Sequence, residues 1–245
     1  MMLEISDINS WKNFFDMIFD SSTIVELKLD QEKCKITLLN NSHIAFYDVE
    51  YTKDFFDVFD VDGVESVLIY VEDFYKILKS VKKDDVLILE SDENTLKVIF
   101  EHDGNRRLFE LPQGEDYSDV PPLPSIEYEG TFILSIKDLE APVNDLDSII
   151  KTNKFTMITD SDELKIISPT ESMTQYLQVI NIDNTISNKV IVDLNYVKQL
   201  LKLKKISDIV EFSIGENKPL KWKVVSPFED IKLTGLIAPI IEEEE

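Results

Sequence analysis

The chain has 245 residues, of which 43% are hydrophobic and 10% aromatic, so it can bury one large core or two medium ones. It carries 48 Asp and Glu against 25 Lys and Arg, and the net charge of −23 argues against indiscriminate binding to nucleic acid or anionic membrane. No run of roughly 18 apolar residues and no secretory signal is found, so no membrane span is expected, and the single cysteine, Cys34, excludes an internal disulfide framework and fits a reducing cytoplasm.

The first half of the chain reads as a strand, a helix and a series of further strands. Asp7 can cap a helix, and the apolar residues after it recur at helical spacing, which predicts a helix through about Phe19. Residues 53–59 fit either a short helix or a loop. Strands are predicted where apolar and polar residues alternate, at 2–6, 24–30, 33–40, 44–51, 64–70 and 106–111.

One stretch of the chain occurs twice. Residues 71–98 read as a helix, a Lys-Lys turn, an apolar strand, a turn with Glu-Asn and a Leu-Lys strand, and residues 192–224 read the same way. Lys82-Lys83 precedes Lys204-Lys205 by 122 residues, which is about half of the chain length. A repeat with this period predicts two structurally similar halves rather than a solenoid.

A proline-rich segment separates the halves. Residues 111–128 hold four of the nine prolines and several carboxylates, which predicts an extended, non-helical connector. After it we predict an imperfect helix from about Lys137 to Ile149, which contains Pro142, and strands at 131–136, 155–160, 163–169, 174–181 and 187–193. The pattern predicts an α+β fold with mainly antiparallel sheets and two similar domains, residues 1–112 and 129–245, joined by a connector at 113–128.

Both repeat helices have an apolar side and a basic side. One such helix would be an ordinary solvated surface. Two matched basic sides in a chain of net charge −23 concentrate positive charge on particular helices, which leaves DNA binding open if the lysines share one surface. At 100° per residue the lysines that fall together are Lys76, Lys79 and Lys83 in the first copy, and Lys198, Lys202 and Lys205 in the second.

The sequence offers no candidate for catalysis. His43 and His102 are far apart and have no partner at metal or triad spacing. The chain has no Gly-rich phosphate loop, no Cys-x-x-Cys and no Gly-x-Ser-x-Gly motif. Acidic pairs such as Asp84-Asp85 lie next to turns, and a carboxylate-dependent metal enzyme is the alternative that they leave open. We predict no catalytic residue, no metal site and no cofactor.

Five segments, taken in order, resemble the DNA sliding clamps of the proliferating cell nuclear antigen family, at an archaeal-type length. With the internal duplication they extend the resemblance over essentially the whole chain. The segments are Ser42-His43-Ile44 after a strand and turn, the basic helix that ends in DDVLIL, the connector with VPPLP, the segment GENKPLKWKV, and the terminal LIAPII.

The resemblance implies a ring of three subunits around duplex DNA, with helices lining the hole and sheets forming the outer shell. Such clamps are placed on DNA by a clamp loader, hold DNA polymerase and other replication and repair proteins through clamp-binding peptides, and have no catalytic activity. It implies a location on the DNA, in the cytoplasm or, in a eukaryote, in the nucleus. The DNA-facing residues implied are Lys12, Lys76, Lys79, Lys83, Lys137, Lys198, Lys202 and Lys205.

The resemblance also implies a pocket beneath the connector for a peptide with an apolar and aromatic anchor. The same side chains would be ordinary core if no peptide binds. The matching positions are Leu39, His43, Ile44, Phe46, Val120, Pro121, Leu123, Pro219, Leu236, Ala238, Pro239 and Ile240.

Subunit contacts are expected where the strand near 107–111 meets the strand near 174–180 of a neighbour, because this pairing would satisfy two sheet edges. The first helix offers only Lys12, and carboxylates outnumber Lys137 in its helix, so a heteromeric or non-ring clamp-like subunit stays the alternative. The residues implied for these contacts are Arg107, Phe109, Leu111, Thr174, Tyr176 and Gln178.

Overall fold

The computed structural model describes residues 1–115, 120–169, 171–183, 186–225 and 229–241, and these residues have the predicted α+β fold. The first 112 residues form β1 (Met2–Ile5), α1 (Ile8–Ile18), β2 (Ile24–Leu29), β3 (Lys33–Leu39), β4 (Ala45–Thr52), β5 (Val58–Asp60), β6 (Glu65–Tyr70), α2 (Val71–Lys79), β7 (Val86–Ser91), β8 (Thr95–His102) and β9 (Asn105–Pro112). The later elements are β10 (Gly130–Ser135), α3 (Glu140–Asp145), β11 (Lys154–Asp160), β12 (Glu163–Ile167), β13 (Leu177–Asn181), β14 (Asn188–Asp193), α4 (Leu194–Leu200), β15 (Ile209–Ile214), β16 (Leu220–Val224) and β17 (Ile231–Ile237).

The two halves follow the same strand plan. One sheet of the first half has the order β5-β1-β7-β8-β9, and its second-half counterparts follow one another as β10-β15-β16-β17. The strands β4-β3-β2-β6 of the first half likewise match the sheet β13-β12-β11-β14 of the second. Only β5 has no counterpart among the described residues. The duplication predicted from the Lys-Lys and Glu-Asn repeats is therefore a duplication of complete sheets.

The chain divides into two units, and two strands contribute residues to both. Unit one comprises residues 1–41, 47–122 and 226–233, and unit two comprises 42–46, 123–225 and 234–245, so the division falls inside the predicted connector. In unit one the amide of Thr52, on β4, donates to the carbonyl of Asp230 over 2.9 Å. In unit two the amide of Ala238, after β17, donates to the carbonyl of Ile44 over 2.8 Å. Strand β17 therefore runs beside β4 with one antiparallel register.

Aromatic residues fill the core of unit one. Asp7 caps α1, where its carboxylate accepts from the amide of Ser10 over 3.4 Å. The helix then buries Trp11 and Phe15, and the ring centre of Phe15 lies 4.7 Å from that of Phe74 on α2. Burial of these rings fixes which sides of the two helices face outward.

The helix that was predicted from Lys137 to Ile149 is wrong as a single element. Residues Ile136–Leu139 form a 3₁₀ turn, α3 follows, and Leu146–Ile150 form a π-helical turn. Pro142 cannot donate a main-chain hydrogen bond, and the hydroxyl of Ser148 donates to the carbonyl of Asn144 over 2.5 Å. These groups interrupt the regular helical ladder.

The two repeat helices are also shorter than predicted. Helix α2 ends at Lys79 because the carboxylate of Asp85 accepts from the amide of Lys82 over 2.7 Å and closes a separate turn. Helix α4 ends at Leu200 and continues as a 3₁₀ turn over Leu201–Lys205.

Three strands differ from the sequence prediction. The segment 53–59 contains a 3₁₀ turn and the start of β5, and β17 was not predicted at all. Strand β13 begins at Leu177, so Thr174 and Tyr176 precede it. Ser168 and Tyr176 exchange hydrogen bonds instead, with the amide of Tyr176 donating to the Ser168 hydroxyl over 2.9 Å.

Candidate functional site

The exposed side of α2 carries Lys76 and Lys79, as predicted from the helical spacing. The ammonium group of Lys76 lies 2.5 Å from the Glu72 carboxylate and 3.8 Å from that of Asp73. The hydrogen bond to Glu72 raises the pKa of Lys76. The ammonium group of Lys79 lies 5.1 Å from the ring centre of Tyr75. A phosphate that binds Lys76 must therefore compete with carboxylates of the same helix.

The lysines of the second repeat helix are engaged in a similar way. Lys198 is half-buried and forms an ion pair with Asp147, which follows α3. Lys202 is half-buried and Lys205 is exposed on the 3₁₀ turn. The neighbouring Lys204 lies 2.9 Å from the Glu140 carboxylate. The sequence did not reveal these two carboxylate partners, because they are 51 and 64 residues away.

The other lysines assigned to DNA stand apart from the repeat helices. Lys83 lies beyond the end of α2, so its predicted place on the basic side of that helix is wrong. Lys12 is half-buried on α1. Lys137 is exposed on the 3₁₀ turn before α3, 3.1 Å from the Asp208 carboxylate.

Most residues of the predicted peptide pocket belong to unit two. Phe46 and Leu236 are buried, whereas Ile44, Leu123, Pro219, Ala238, Pro239 and Ile240 are half-buried. His43 is exposed and has a φ of 57°, a left-handed conformation that turns the chain into β4. The hydrogen bond from Ala238 to Ile44 brings the two segments of the set together.

A cavity of about 300 Å³ adjoins the C-terminal members of this set. Pro239 and Ile240 form one side, and the amide of Ile240 donates to the carbonyl of Ile191 over 2.7 Å. Glu216 and Asn217, on the turn between β15 and β16, form another side. An apolar hollow with polar groups at its margin is the chemistry expected of a peptide site.

The remaining pocket residues, Leu39, Val120 and Pro121, belong to unit one. Leu39 is half-buried on β3, and Pro121 is exposed. Val120 adjoins a cavity of about 240 Å³ whose other lining residues are Glu26, Lys28, Lys35, Thr37 and Pro122.

The predicted subunit contacts fall on strands β9 and β13, each the last strand of its sheet among the described residues. Phe109, Leu111 and Gln178 are half-buried, and Arg107 pairs with the buried carboxylate of Asp85. The sequence missed the most exposed apolar side chains of these strands, which are Leu108, Leu177 and Val179 at 53%, 61% and 46% exposure. Their alternation with half-buried neighbours was visible, but the edge position of the strands was not.

No group of three or more His, Cys, Asp or Glu side chains in the described ranges could hold a metal ion. Nδ1 of His102 lies 3.0 Å from the carbonyl oxygen of Asp84, and this hydrogen bond, with the nearby Asp103 carboxylate, raises the pKa of His102. Burial raises the pKa of the Cys34 thiol, which argues against reactivity. Among the described residues, no helix has both the length and the apolar character to cross a bilayer.

Comparison with known proteins places these features in one family. The family model "Proliferating cell nuclear antigen, N-terminal domain" matches residues 2–112. The "DNA polymerase sliding clamp" of Methanothermobacter thermautotrophicus is 29% identical over 99% of this chain and 98% of its own. The protein with the same name from Methanobrevibacter smithii has the same identity and coverage. A crystal structure of a PCNA2-PCNA3 complex from Sulfolobus tokodaii shares the fold, with a TM-score of 0.87 at 22% identity over 98% of this chain and 99% of that one.

Proposed function

Because this chain belongs to the proliferating cell nuclear antigen family of DNA sliding clamps, we propose that three copies of it form a ring around duplex DNA and tether DNA polymerase there. The clamp does no chemistry of its own in this proposal. It raises processivity because a closed ring stays on the duplex while its contacts with the phosphates remain weak enough to slide.

The observation that carries the proposal is the unequal use of equivalent strands. Within the chain, β17 runs beside β4. The counterparts of these two strands are β9 and β13, and both end their sheets among the described residues. Unpaired edges invite strand addition. Pairing β9 of one copy with β13 of the next would repeat between chains the pairing that β17 and β4 make within one.

Side chains on the two edges support this pairing. Leu108 on β9, and Leu177 and Val179 on β13, are apolar and largely exposed in the single chain. The Arg107–Asp85 ion pair fixes β9 to the turn that follows α2. Burying the three apolar side chains against a neighbour would remove surface that a soluble monomer rarely exposes on a strand edge.

The lysines of α2 and α4 supply the DNA contacts in this proposal. They present ammonium groups without any pattern that could read bases, so binding would be independent of sequence. Their carboxylate partners, Glu72 and Asp147, would keep each contact weak. Lys12, Lys137, Lys202 and Lys205 would add to the same surface, while Lys83 would contribute from the turn.

Partner proteins would bind through a short peptide with an apolar and aromatic anchor. The half-buried Ile44, Pro219 and Pro239 would form the apolar wall in unit two. Leu39, Val120 and Pro121 would contribute from the connector side. DNA polymerase and the clamp loader are the partners expected to carry such peptides.

A mixed ring with related chains is the second candidate. The carboxylates that pair with Lys76, Lys137 and Lys198 favour it, since they reduce the positive charge that one chain alone would offer to DNA. Light scattering separates the two candidates. A solution mass near three times 28.3 kDa supports the homotrimer, and a mass of one chain supports the mixed ring.

Function is tested on a primed DNA circle with the polymerase and clamp loader of the source organism. We expect the chain to lengthen the products of each binding event on the circle. Cutting the circle once should release the clamp, because a ring slides off a free end. A clamp that is retained equally on cut and uncut DNA would contradict encirclement.

A further inference from the structure

Lys218 ties the end of the connector to the turn between β15 and β16. Its ammonium group donates to the main-chain carbonyl of Glu127 over 2.7 Å and forms an ion pair with the carboxylate of Glu129. The amide of Lys218 donates to the carbonyl of Gly215 over 3.2 Å, which closes the turn. One side chain therefore holds two connector residues against one tight turn.

The sheet register explains why Glu129 reaches this turn. Gly130 on β10 lies opposite Ile214 on β15, so Glu129 lies opposite Gly215, one step beyond the paired strands. A Cβ on Gly215 would lie 2.0 Å from a carboxylate oxygen of Glu129. The carboxylate thus occupies the space that only a glycine leaves open.

Tyr128 strengthens the same attachment. Its ring is half-buried, and the Lys221 ammonium group lies 6.0 Å from the ring centre. Burial raises the pKa of the Tyr128 hydroxyl to about 12. The connector end is held by packing as well as by charge.

The other side of the turn forms part of the partner cavity. Glu216 and Asn217 line the cavity of about 300 Å³ that Pro239 and Ile240 also line. Asn217 has a φ of 53°, so the shape of the turn depends on a left-handed residue next to Lys218. A turn that contacts both the connector and this cavity can transmit a change in one to the other.

We propose that Lys218, Glu129 and Gly215 form a latch that fixes the connector end and the cavity wall together, so that Lys218 is a positioning residue for partner peptides. The partner role rests on the function proposed above, whereas the latch itself does not. Loss of the latch loosens residues 123–129 and weakens peptide binding, while DNA-facing surfaces and subunit edges keep their side chains.

Two substitutions open the latch in different ways. Lys218→Ala removes the ammonium group, and Gly215→Ala displaces the Glu129 carboxylate without changing any charge. Gly215 does not have a positive φ, so alanine adds no backbone strain there. Lys218→Arg retains the positive charge and should restore the latch. Lys223→Ala is the matched control, because it removes an exposed lysine from β16 outside the latch.

The experiment measures two quantities on the assembled protein. Amide hydrogen exchange of residues 123–129 reports the latch, and fluorescence anisotropy reports binding of a labelled peptide with one aliphatic and one aromatic anchor. The same peptide with both anchors changed to alanine gives the background. We expect Lys218→Ala and Gly215→Ala to speed exchange and weaken peptide binding by about twofold to fivefold, the range of a single solvent-exposed ion pair. Lys218→Arg and Lys223→Ala should match the wild type.

The outcomes separate the latch from the proposed function. Unchanged exchange in both opening variants overturns the latch. Faster exchange with unchanged peptide affinity overturns the positioning role and leaves the proposed function intact. If the wild-type protein binds the peptide no better than the background peptide, the proposed partner pocket and the positioning role both fail, and exchange still decides whether the latch exists.

Discussion

Gly235 on β17 gives the sharpest test of how the second unit is packed. A Cβ at this position would lie 2.2 Å from Cζ2, 2.3 Å from Cε2 and 2.6 Å from Nε1 of Trp222. Trp222 on β16 is fully buried. The substitution Gly235→Ala must therefore push a rigid ring by about 1 Å into a close-packed core. Over-packing of this kind costs about 1–3 kcal/mol, and three overlapping ring atoms place the expected loss near ~3 kcal/mol.

The measurement is urea denaturation at one fixed protein concentration, since assembly adds to apparent stability. For a chain of this size, ~3 kcal/mol corresponds to about 6–12 °C in melting temperature. Gly114→Ala is the control, because the Cβ would there meet its nearest neighbour at 3.2 Å. In a Trp222→Leu background the smaller side chain leaves room, so the loss from Gly235→Ala should shrink by more than half. An equal loss in both backgrounds would refute the reasoning.

Three further predictions address assembly, DNA contact and acid stability. Val179→Glu places a charge on the exposed side of β13 and should convert the assembly to single chains in light scattering, since a buried unpaired carboxylate opposes pairing. Glu50→Gln should lower stability at neutral pH, because Lys33 at 2.7 Å and Lys232 at 3.0 Å hold the pKa of Glu50 low. That contribution is complete above the unfolded pKa of about 4.3 and disappears as pH falls through the lower folded value, so urea midpoints of variant and wild type should converge in acid. A fourfold alanine variant should reduce polymerase stimulation and flatten its salt dependence by at most ~0.9 per phosphate contact, with assembly intact; its positions are Lys76, Lys79, Lys198 and Lys202.

Matched variants make these outcomes specific. Val64→Glu alters a valine that is 87% exposed but lies before β6, so its solution mass should stay that of the wild type. A stability difference for Glu50→Gln that persists in acid would show that the carboxylate's charge is not its cause. For the lysines, four alanines outside the α-helices remove the same charge; if they flatten the salt dependence equally, net charge rather than the helix surface is responsible. The control positions are Lys28, Lys53, Lys97 and Lys223.

Local signals predicted the elements whose causes are local. Asp7 caps α1 as expected, and the alternation of β2, β3 and β6 identified them within a residue or two. Strand β17 escaped prediction because Gly235 occurs where an alternating strand would carry a side chain. Its absence makes sense only beside Trp222, which the sequence separates from it by 13 positions.

The candidate site was predicted in its residue types and less well in its pairings. The exposed positions of Lys76 and Lys79 followed from helical spacing. The ion pair of Lys198 with Asp147 and that of Lys218 with Glu129 join residues 51 and 89 apart, and no pattern in one sequence announces them. The family resemblance supplied the partner residues, but it did not supply the left-handed conformation of His43.

The unlike edges of the chain also set a direction. One copy would offer β9 and receive β13, so every copy in a closed assembly must point the same way around the axis. A head-to-tail arrangement has no two-fold axis to exchange its two faces. His43 and Pro239 of all copies would then open toward one side of the assembly. A polymerase bound there would meet the DNA with a fixed polarity, and the clamp would have a front and a back.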